Sequence, residues 1–284
     1  LKIILATMVK DEDDIVEHWI NYHGKIFGYE NLYIVDNKSI DDTFNICKNY
    51  REKGIHLFQE DDYKKKGNIM TQIMNNINCD IFFPIDIDEF IVVNPKANKI
   101  NYNVKKYLKK IIKKFNDCTF FKCDYIIPKK TNNSDNILSK FTAGSLNTSY
   151  GNHRKTFIYK KNLNKDFLID HGNHMPNVKY ELTKICLVHY HKRSHKQMLK
   201  KMMNNVKGLG HKLDVEYIKK ISNEPNDGFH HIKNLNKFFN GDIQSFEPKL
   251  TKHKENDINL IPLIKHSLGS EMLNKLIKVN KILK

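Results

Sequence analysis

No run of about 18 apolar residues occurs anywhere in the chain, so no segment of it reads as a bilayer-spanning helix. Paired-cysteine motifs are missing too. The five cysteines (Cys47, Cys79, Cys118, Cys123, Cys186) are odd in number and widely scattered, with no CxxC pair. In a chain of 284 residues this argues against a disulfide framework and for reduced, buried thiols in a cytosol-facing protein. Leu1–Val9 is apolar but lacks a basic leader and a small-residue cleavage site, and runs straight into Asp11-Glu12-Asp13-Asp14. The expected location is cytoplasmic or peripheral on the cytosolic face of a membrane. A start at Leu leaves a removed leader, and hence a secretory lumen, open. Internal repeats and clean linkers are absent as well. Acidic residues are the scarcer charge: 48 Lys+Arg against 32 Asp+Glu leave a net charge of +16. Such a surface attracts nucleic acid, anionic lipid or a phosphorylated small molecule, and the charge alone does not choose among them.

What is present is apolar material for a core, 40% hydrophobic and 11% aromatic, which excludes global disorder. The first half alternates two periods. Ile3–Val9, Leu32–Val35, Ile55–Phe58 and Cys79–Ile85 read as strands. Between them, Ile15, Val16, Trp19, Ile20, His23 and Phe27, then Phe44, Cys47 and Tyr50, then Ile69, Ile73 and Ile77, recur at helical spacing. Asp11–Asp14 suits the positive end of the first helix. This rhythm predicts an α/β fold with a mostly parallel, Rossmann-like sheet flanked by helices. Ligands of such sheets gather beyond the carboxyl ends of the strands. Lys10-Asp11, Asp36-Asn37 and Asp86-Ile87-Asp88-Glu89 stand there.

Beyond residue 100 the pattern loosens. Tyr107, Leu108, Ile111, Ile112 and Phe115 mark an amphipathic helix with a lysine-rich face. Strands are expected over Thr119–Ile127, Lys155–Tyr159 and Ile185–His191, with a long polar loop over Asn132–Tyr150. Ser194-His195-Lys196-Gln197 matches a capping box opening a helix through Met198, Leu199, Met202, Met203 and Val206. We expect a catalytic domain over 1–206 and a basic helical extension over 207–284. That extension closes on an amphipathic helix carrying Met272, Leu273, Leu276, Ile277, Ile282 and Leu283, which offers a peripheral membrane contact.

The densest chemical signal is Phe82-Phe83-Pro84-Ile85-Asp86-Ile87-Asp88-Glu89-Phe90. Two carboxylates one residue apart on extended backbone project to one side, and they repel unless a cation lies between them. Oxygen ligands suit Mn2+ or Mg2+, with sites left open for diphosphate oxygens. Asp170-His171-Gly172-Asn173-His174 groups further titratable side chains near a strand end. Asp170 or His171 could take a proton from a substrate hydroxyl, orient the substrate, or brace a loop.

Four stretches together resemble a glycosyltransferase of the GT-A fold, similar to the family 2-like group. They are Thr7–Glu12 with Trp19 and His23, Tyr33–Thr43 in the manner of a D(D/N)xSxDxT nucleotide segment, Phe82–Phe90 in the manner of a DxD motif, and His189-Tyr190-His191-Lys192-Arg193-Ser194. The resemblance spans roughly residues 1–206. It implies transfer of a sugar from a nucleotide-diphosphate sugar, by analogy a UDP-sugar, to a hydroxyl of a glycan, protein or lipid acceptor. Asp36 would contact base or ribose. Asp86 and Asp88 would hold the metal, with Asp86 also near the ribose, and His189, or His191 in its place, would complete the metal site. Thr7, Lys10, Lys155 and Arg193 would stand on the donor side. The chain departs from the family 2 pattern in having no ED motif downstream of the DxD.

Three other readings compete with this one. A HAD-type phosphatase also uses DxD, but on its first strand, whereas here the motif follows three strand–helix units. Nucleic-acid binding would draw on Lys64-Lys65-Lys66, Lys105-Lys106 and Lys109-Lys110, yet these recur on outer helical faces without interleaved aromatics, and no specific nucleic-acid partner is expected. A histidine-rich metal site (His171, His174, His189, His191, His230, His231) has no specific spacing.

Overall fold

The structure is a computed structural model describing residues 1–96, 99–224 and 229–268. The expected amphipathic helix at 272–283 lies outside the described residues. The elements run β1 (Ile3–Val9), α1 (Val16–Phe27), β2 (Leu32–Asp36), α2 (Thr43–Asn49), β3 (His56–Gln59), α3 (Lys66–Asn76), β4 (Ile81–Pro84), β5 (Glu89–Lys96), β6 (Lys99–Asn101), α4 (Val104–Lys114) and β7 (Phe120–Lys129). They continue with β8 (Ala143–Asn147), β9 (Lys155–Tyr159), β10 (Tyr180–His189), α5 (His195–Gly208), α6 (Val215–Ile221), α7 (Phe229–Phe239), β11 (Ile258–Asn259) and α8 (Ile261–Leu268).

The α/β class and the parallel N-terminal sheet are as expected. β1 pairs in parallel with β2 and with β4, and β2 with β3. Alternation along β1 sends Ile3, Leu5 and Val9 into the core beneath α1, with Trp19, Ile20 and Phe27, and sends Ile4, Ala6 and Met8 to the opposite face against Met70 and Met74 of α3. Both faces of β1 are therefore covered, which is why it reads as an unbroken apolar run.

The second half is mixed. β7 pairs antiparallel with β9 through Phe120–Cys123 and with β8 through Tyr125–Lys129, and takes β10 in parallel. β10 in turn pairs antiparallel with β5. Two of these strands differ from expectation. The stretch read as one long loop holds β8, whose polar residues are paired on β7. Glu89, taken as the end of the acidic motif, opens β5, whose Phe90–Val92 are buried against α1.

Half of the expected capping box is observed: Ser194 Oγ accepts the Gln197 N–H at 3.1 Å, but the Gln197 side chain turns away and donates to the Asp11 carbonyl and to Glu12 Oε2. α5 crosses the expected 206/207 boundary and buries Met198, Met202 and Val206 against Ile218 of α6 and Ile232 and Leu235 of α7. β11 then returns to the sheet between β6 and β8. Among the described residues, no helix is long and apolar enough to cross a membrane.

Candidate active site

The carboxyl ends of β1, β2 and β4 open into a cavity of about 930 Å3 that is closed over by residues of α3, α5, α7 and the 171–174 and 248–251 stretches. The acidic motif sits at its base. Glu89 N–H donates to the Asp86 carbonyl at 3.1 Å, and Asp86 N–H donates to Glu89 Oε2 at 2.8 Å. That closed turn replaces the extended backbone assumed above, and the two aspartates face different partners. Asp86 lies between two lysines, accepting from Lys66 Nζ on Oδ1 and from Lys155 Nζ on Oδ2, both at 2.8 Å. Burial would raise its pKa, but Lys155 and Lys66 outweigh that and hold the carboxyl well below its usual range.

Asp88 is fully buried and belongs to another cluster. Lys201 Nζ donates to Oδ2 at 2.6 Å, Arg193 Nη1 lies 3.6 Å from the same oxygen, and His189 Nε2 lies 3.5 Å from Oδ1. Lys201, His189 and Arg193 together outweigh burial and keep Asp88 ionised, and Asp88 in turn raises the pKa of His189 against its own burial. Oδ1 is buried without a hydrogen-bond partner. One ligand atom each from Asp88, His189 and His191 lie within 4.8 Å of one another. His191 Nδ1 lies 4.0 Å from Oδ2, so the unpartnered oxygen faces His189 while the second imidazole stands beside the other oxygen, a carboxylate and two rings that fit a divalent cation with O and N ligands such as Mn2+. Burial and Lys201 hold His191 well below its usual pKa, so its ring is neutral, as a metal ligand must be. The register His189↔Glu89 and the Tyr190 N–H bond to the Asp88 carbonyl at 2.9 Å fix the end of β10 beside the turn.

Glu89, to which no role was assigned from sequence, is buried in the cavity wall with Oε1 unpartnered and 3.9 Å from Lys155 Nζ. Burial pushes its pKa up to about 7 against the pull of Lys155.

The other expected donor-side residues separate into lining and bracing positions. Lys10 lines the cavity, and its Nζ donates to the carbonyls of Asn37 and Lys38 at 2.6 and 2.9 Å. Asp36 is buried at the end of β2, accepting from Ser39 N at 3.3 Å and Gln59 Nε2 at 3.1 Å, and it is Asn37 that lines the cavity. Thr7 is buried within β1, away from the lining. Arg193 is also fully buried and outside the lining. Its guanidinium grips Glu12, donates to Asp14 at 2.9 and 3.1 Å, and donates to the Tyr190 carbonyl at 2.8 Å. The acidic run before α1 therefore does more than face a helix start; it anchors the end of β10 through Arg193.

Asp170 and His171 also divide. Asp170 Oδ1 accepts from Met175 N at 2.6 Å and Oδ2 from Gly172 N at 3.1 Å, so the carboxylate holds the turn. His171 lines the cavity edge-on to the Tyr63 ring, at 4.6 Å between centroids. Burial and the nearby Lys66 lower its pKa, leaving a neutral imidazole. Gly67 of α3 is required here, because a Cβ on it would lie 2.4 Å from the Ile169 carbonyl.

Lys66, Lys201, Asn204, His174 and Glu89 are cavity residues that reading the sequence did not single out for the site. Lys66 and Lys201 each sit at a helical position on α3 and α5, but only contact with an aspartate of the 86–89 turn distinguishes them from surface lysines.

No family model matches the sequence, and no curated protein does. Solved structures do. The chain is similar to S. aureus TarS 1–349 at 12% identity and TM-score 0.41, over 84% of this chain and 72% of that one. It is similar to the mannosyltransferase PcManGT from Pyrobaculum calidifontis, solved with GDP-Man and Mn2+, at 11% identity and TM-score 0.41, over 99% and 80% of the two chains. Over 44% of this chain and 43% of that one, it is similar to glucosyl-3-phosphoglycerate synthase from Mycobacterium tuberculosis, solved with Mg2+ and UDP, at 16% identity and TM-score 0.31.

Proposed function

We propose that this protein is a metal-dependent glycosyltransferase of GT-A type, moving a sugar from a nucleotide-diphosphate sugar, a UDP-sugar by the sequence resemblance, to a hydroxyl of a glycan, protein or lipid acceptor. One observation carries the reading. The buried Asp88 carboxylate, with an unpartnered oxygen facing His189 and its other oxygen near His191, lies in a large cavity at the carboxyl edge of a parallel sheet.

Asp88, His189 and His191 would hold Mn2+ or Mg2+, which when bound neutralises charge developing on the departing diphosphate. The chain's own cations add to this. Lys10, Lys66 and Lys155 line the same side of the cavity, and their ammonium groups are held in place by carbonyl or carboxylate acceptors. Donors fixed in position pay no reorganisation cost as charge develops. Asp36 and Arg193 act here as positioning residues for the loops that carry Asn37 and His191. Thr7 lies in the strand beneath them.

His171 is the proton acceptor in this proposal. Its neutral imidazole faces the cavity and can take the acceptor hydroxyl's proton on a ring nitrogen, while Asp170 fixes the turn that presents it. The closed turn at Asp86 keeps two lysines on the floor of the site and leaves Asp88 as the carboxylate facing the metal.

The test is calorimetry with UDP, UDP-sugars and GDP-sugars, with and without Mn2+. The expected result is nucleotide binding that requires the metal and is lost in Asp88→Asn. Absence of any metal-dependent nucleotide binding overturns the reading.

A further inference from the structure

The cavity is lined by eight lysines but only four carboxylates among the described residues. The imbalance is not spread evenly. Glu12, Asp86, Asp88 and Glu89 all belong to the strand ends at the base, where Lys66, Lys155 and Lys201 answer them. Another part of the lining is formed by the end of β7, Asn147 of β8, Tyr150, Lys192 and the 248–251 stretch, and no carboxylate is among these residues.

That part of the wall carries Lys129, Lys130, Lys192 and Lys249. The parallel register Val188↔Ile126 carries the end of β7 alongside the residues that follow β10, which brings Lys129 and Lys130 towards His191 and Lys192. Thr251 donates to the Lys130 carbonyl through both N–H, at 2.8 Å, and Oγ1, at 3.1 Å, so the stretch bearing Lys249 is tied to the same strand end. Lys129 is held by Asp257 at 2.5 Å and Lys130 lies 3.7 Å from Glu247, both acids standing outside the lining. Lys192 and Lys249 are exposed and make no hydrogen bond or ion pair with the described residues.

A nucleoside diphosphate sugar brings two negative charges and its divalent cation two positive ones, so the bound pair is neutral overall. It leaves Lys192 and Lys249 without a counter-charge, beside Lys129 and Lys130, which Asp257 and Glu247 answer from outside the lining. We infer that the wall formed by Lys129, Lys130, Lys192 and Lys249 is the acceptor subsite and that the acceptor is a hydroxyl compound bearing a phosphate group. This rests on the transferase reading for the word acceptor; the anion site stands on the lysines alone. Charge complementarity of this kind selects phosphorylated over neutral hydroxyl compounds and raises their association rate.

The probe is sn-glycerol 3-phosphate, titrated calorimetrically into protein saturated with Mn2+ and UDP, beside glycerol and beside phosphatidylglycerol and phosphatidylcholine vesicles. The expected result is binding of glycerol 3-phosphate, weakened by salt, with none for glycerol. In the Lys192→Ala/Lys249→Ala double variant that affinity falls about tenfold or more while Mn2+–UDP affinity stays within about twofold. Binding of phosphatidylglycerol vesicles but not glycerol 3-phosphate, with the same lysine dependence, supports the subsite and identifies a lipid headgroup as the phosphate source. Competition between glycerol 3-phosphate and UDP overturns the inference, since the lysines then serve the donor. So does unchanged affinity in Lys192→Glu/Lys249→Glu protein with a normal melting temperature. If Mn2+ and UDP do not bind at all, the transferase reading fails by itself. Inorganic phosphate titrated into the unloaded protein and the same variants then tests the lysine site: lysine-dependent binding supports it, and lysine-independent or absent binding overturns it.

Discussion

The ammonium of Lys201 lies 2.6 Å from Asp88 Oδ2, on a buried carboxylate whose other oxygen has no partner. One oxygen of Asp88 is thus occupied by a cation from α5 and the other is open towards His189. A metal ion at Asp88 shares that carboxylate with Lys201, so the two cations oppose one another.

Lys201→Met is therefore expected to bind Mn2+ about tenfold more tightly, by loss of a neighbouring positive charge. The same variant without metal should lose about 3 kcal/mol of stability, because Asp88 stays buried with fewer counter-charges. Mn2+ should restore most of that loss. Manganese EPR and thermal melts with and without metal check both; an unchanged Mn2+ affinity would mean that Lys201 and the metal do not share Asp88.

Asp88→Asn keeps the shape of the side chain and removes its charge. Mn2+ affinity should fall by more than about a hundredfold, since loss of a mere supporting partner already costs ~10–100-fold. Donor hydrolysis should fall with it. Hydrolysis at the unaltered rate would remove Asp88 from the metal site.

Lys155 joins two parts of the site, donating to Asp86 Oδ2 at 2.8 Å and to the Gly172 carbonyl at 2.7 Å. Lys155→Met should cost about 1–3 kcal/mol of stability, part of it screened because Asp86 keeps some solvent contact. Proteolysis within 169–175 should speed up as the turn loses its tie to the floor. Urea denaturation and limited proteolysis read the two effects separately.

His171 and Asp170 can be told apart by their readouts. His171→Gln should lower transfer by ~100-fold or more while leaving UDP affinity within about twofold, as expected for loss of a general base. Asp170→Ala should cost about 1–2 kcal/mol of stability by releasing two backbone N–H groups. A normal transfer rate in His171→Gln would exclude it as the base.

Stability should also fall with acid through His23. Its ring is fully buried; Nε2 accepts from Ile91 N–H at 3.2 Å, so Nδ1–H donates to the Trp19 carbonyl at 3.1 Å. Burial lowers its pKa from 6.5 to about 3. Between those values the unfolded chain binds a proton that the folded chain refuses, so stability is full above pH 6.5 and declines below it. The contribution is about 1.4 kcal/mol per pH unit. Urea midpoints between pH 7.5 and 4.5 should fall less steeply in His23→Gln; an equal slope would assign the acid sensitivity to other groups.

Local chemistry was enough to write down the α/β alternation, the buried first strand, the N-cap at Ser194 and the position of the acidic motif beyond a strand end. Each depends on residues close together in the chain, through a period of 2 or 3.6 or through a cap three residues away. The strand opened by Glu89 and the strand within the 132–150 stretch escaped that reading because their pairing partners, β10 and β7, lie far away in sequence. The same is true of the chemistry. In a chain with 48 lysines and arginines, nothing local marks Lys66, Lys155 and Lys201 as the ones facing the two aspartates of the turn, or Arg193 as a brace. The closed turn at 86–89 separates two carboxylates that sequence spacing places together, and only the packing of α5 and β10 against it decides which one meets the histidines. The net charge of +16 was legible from composition; that part of its surplus lines one stretch of a cavity whose base balances lysines with carboxylates was decided by the fold, because charges distant along the chain become neighbours only when the sheet is assembled.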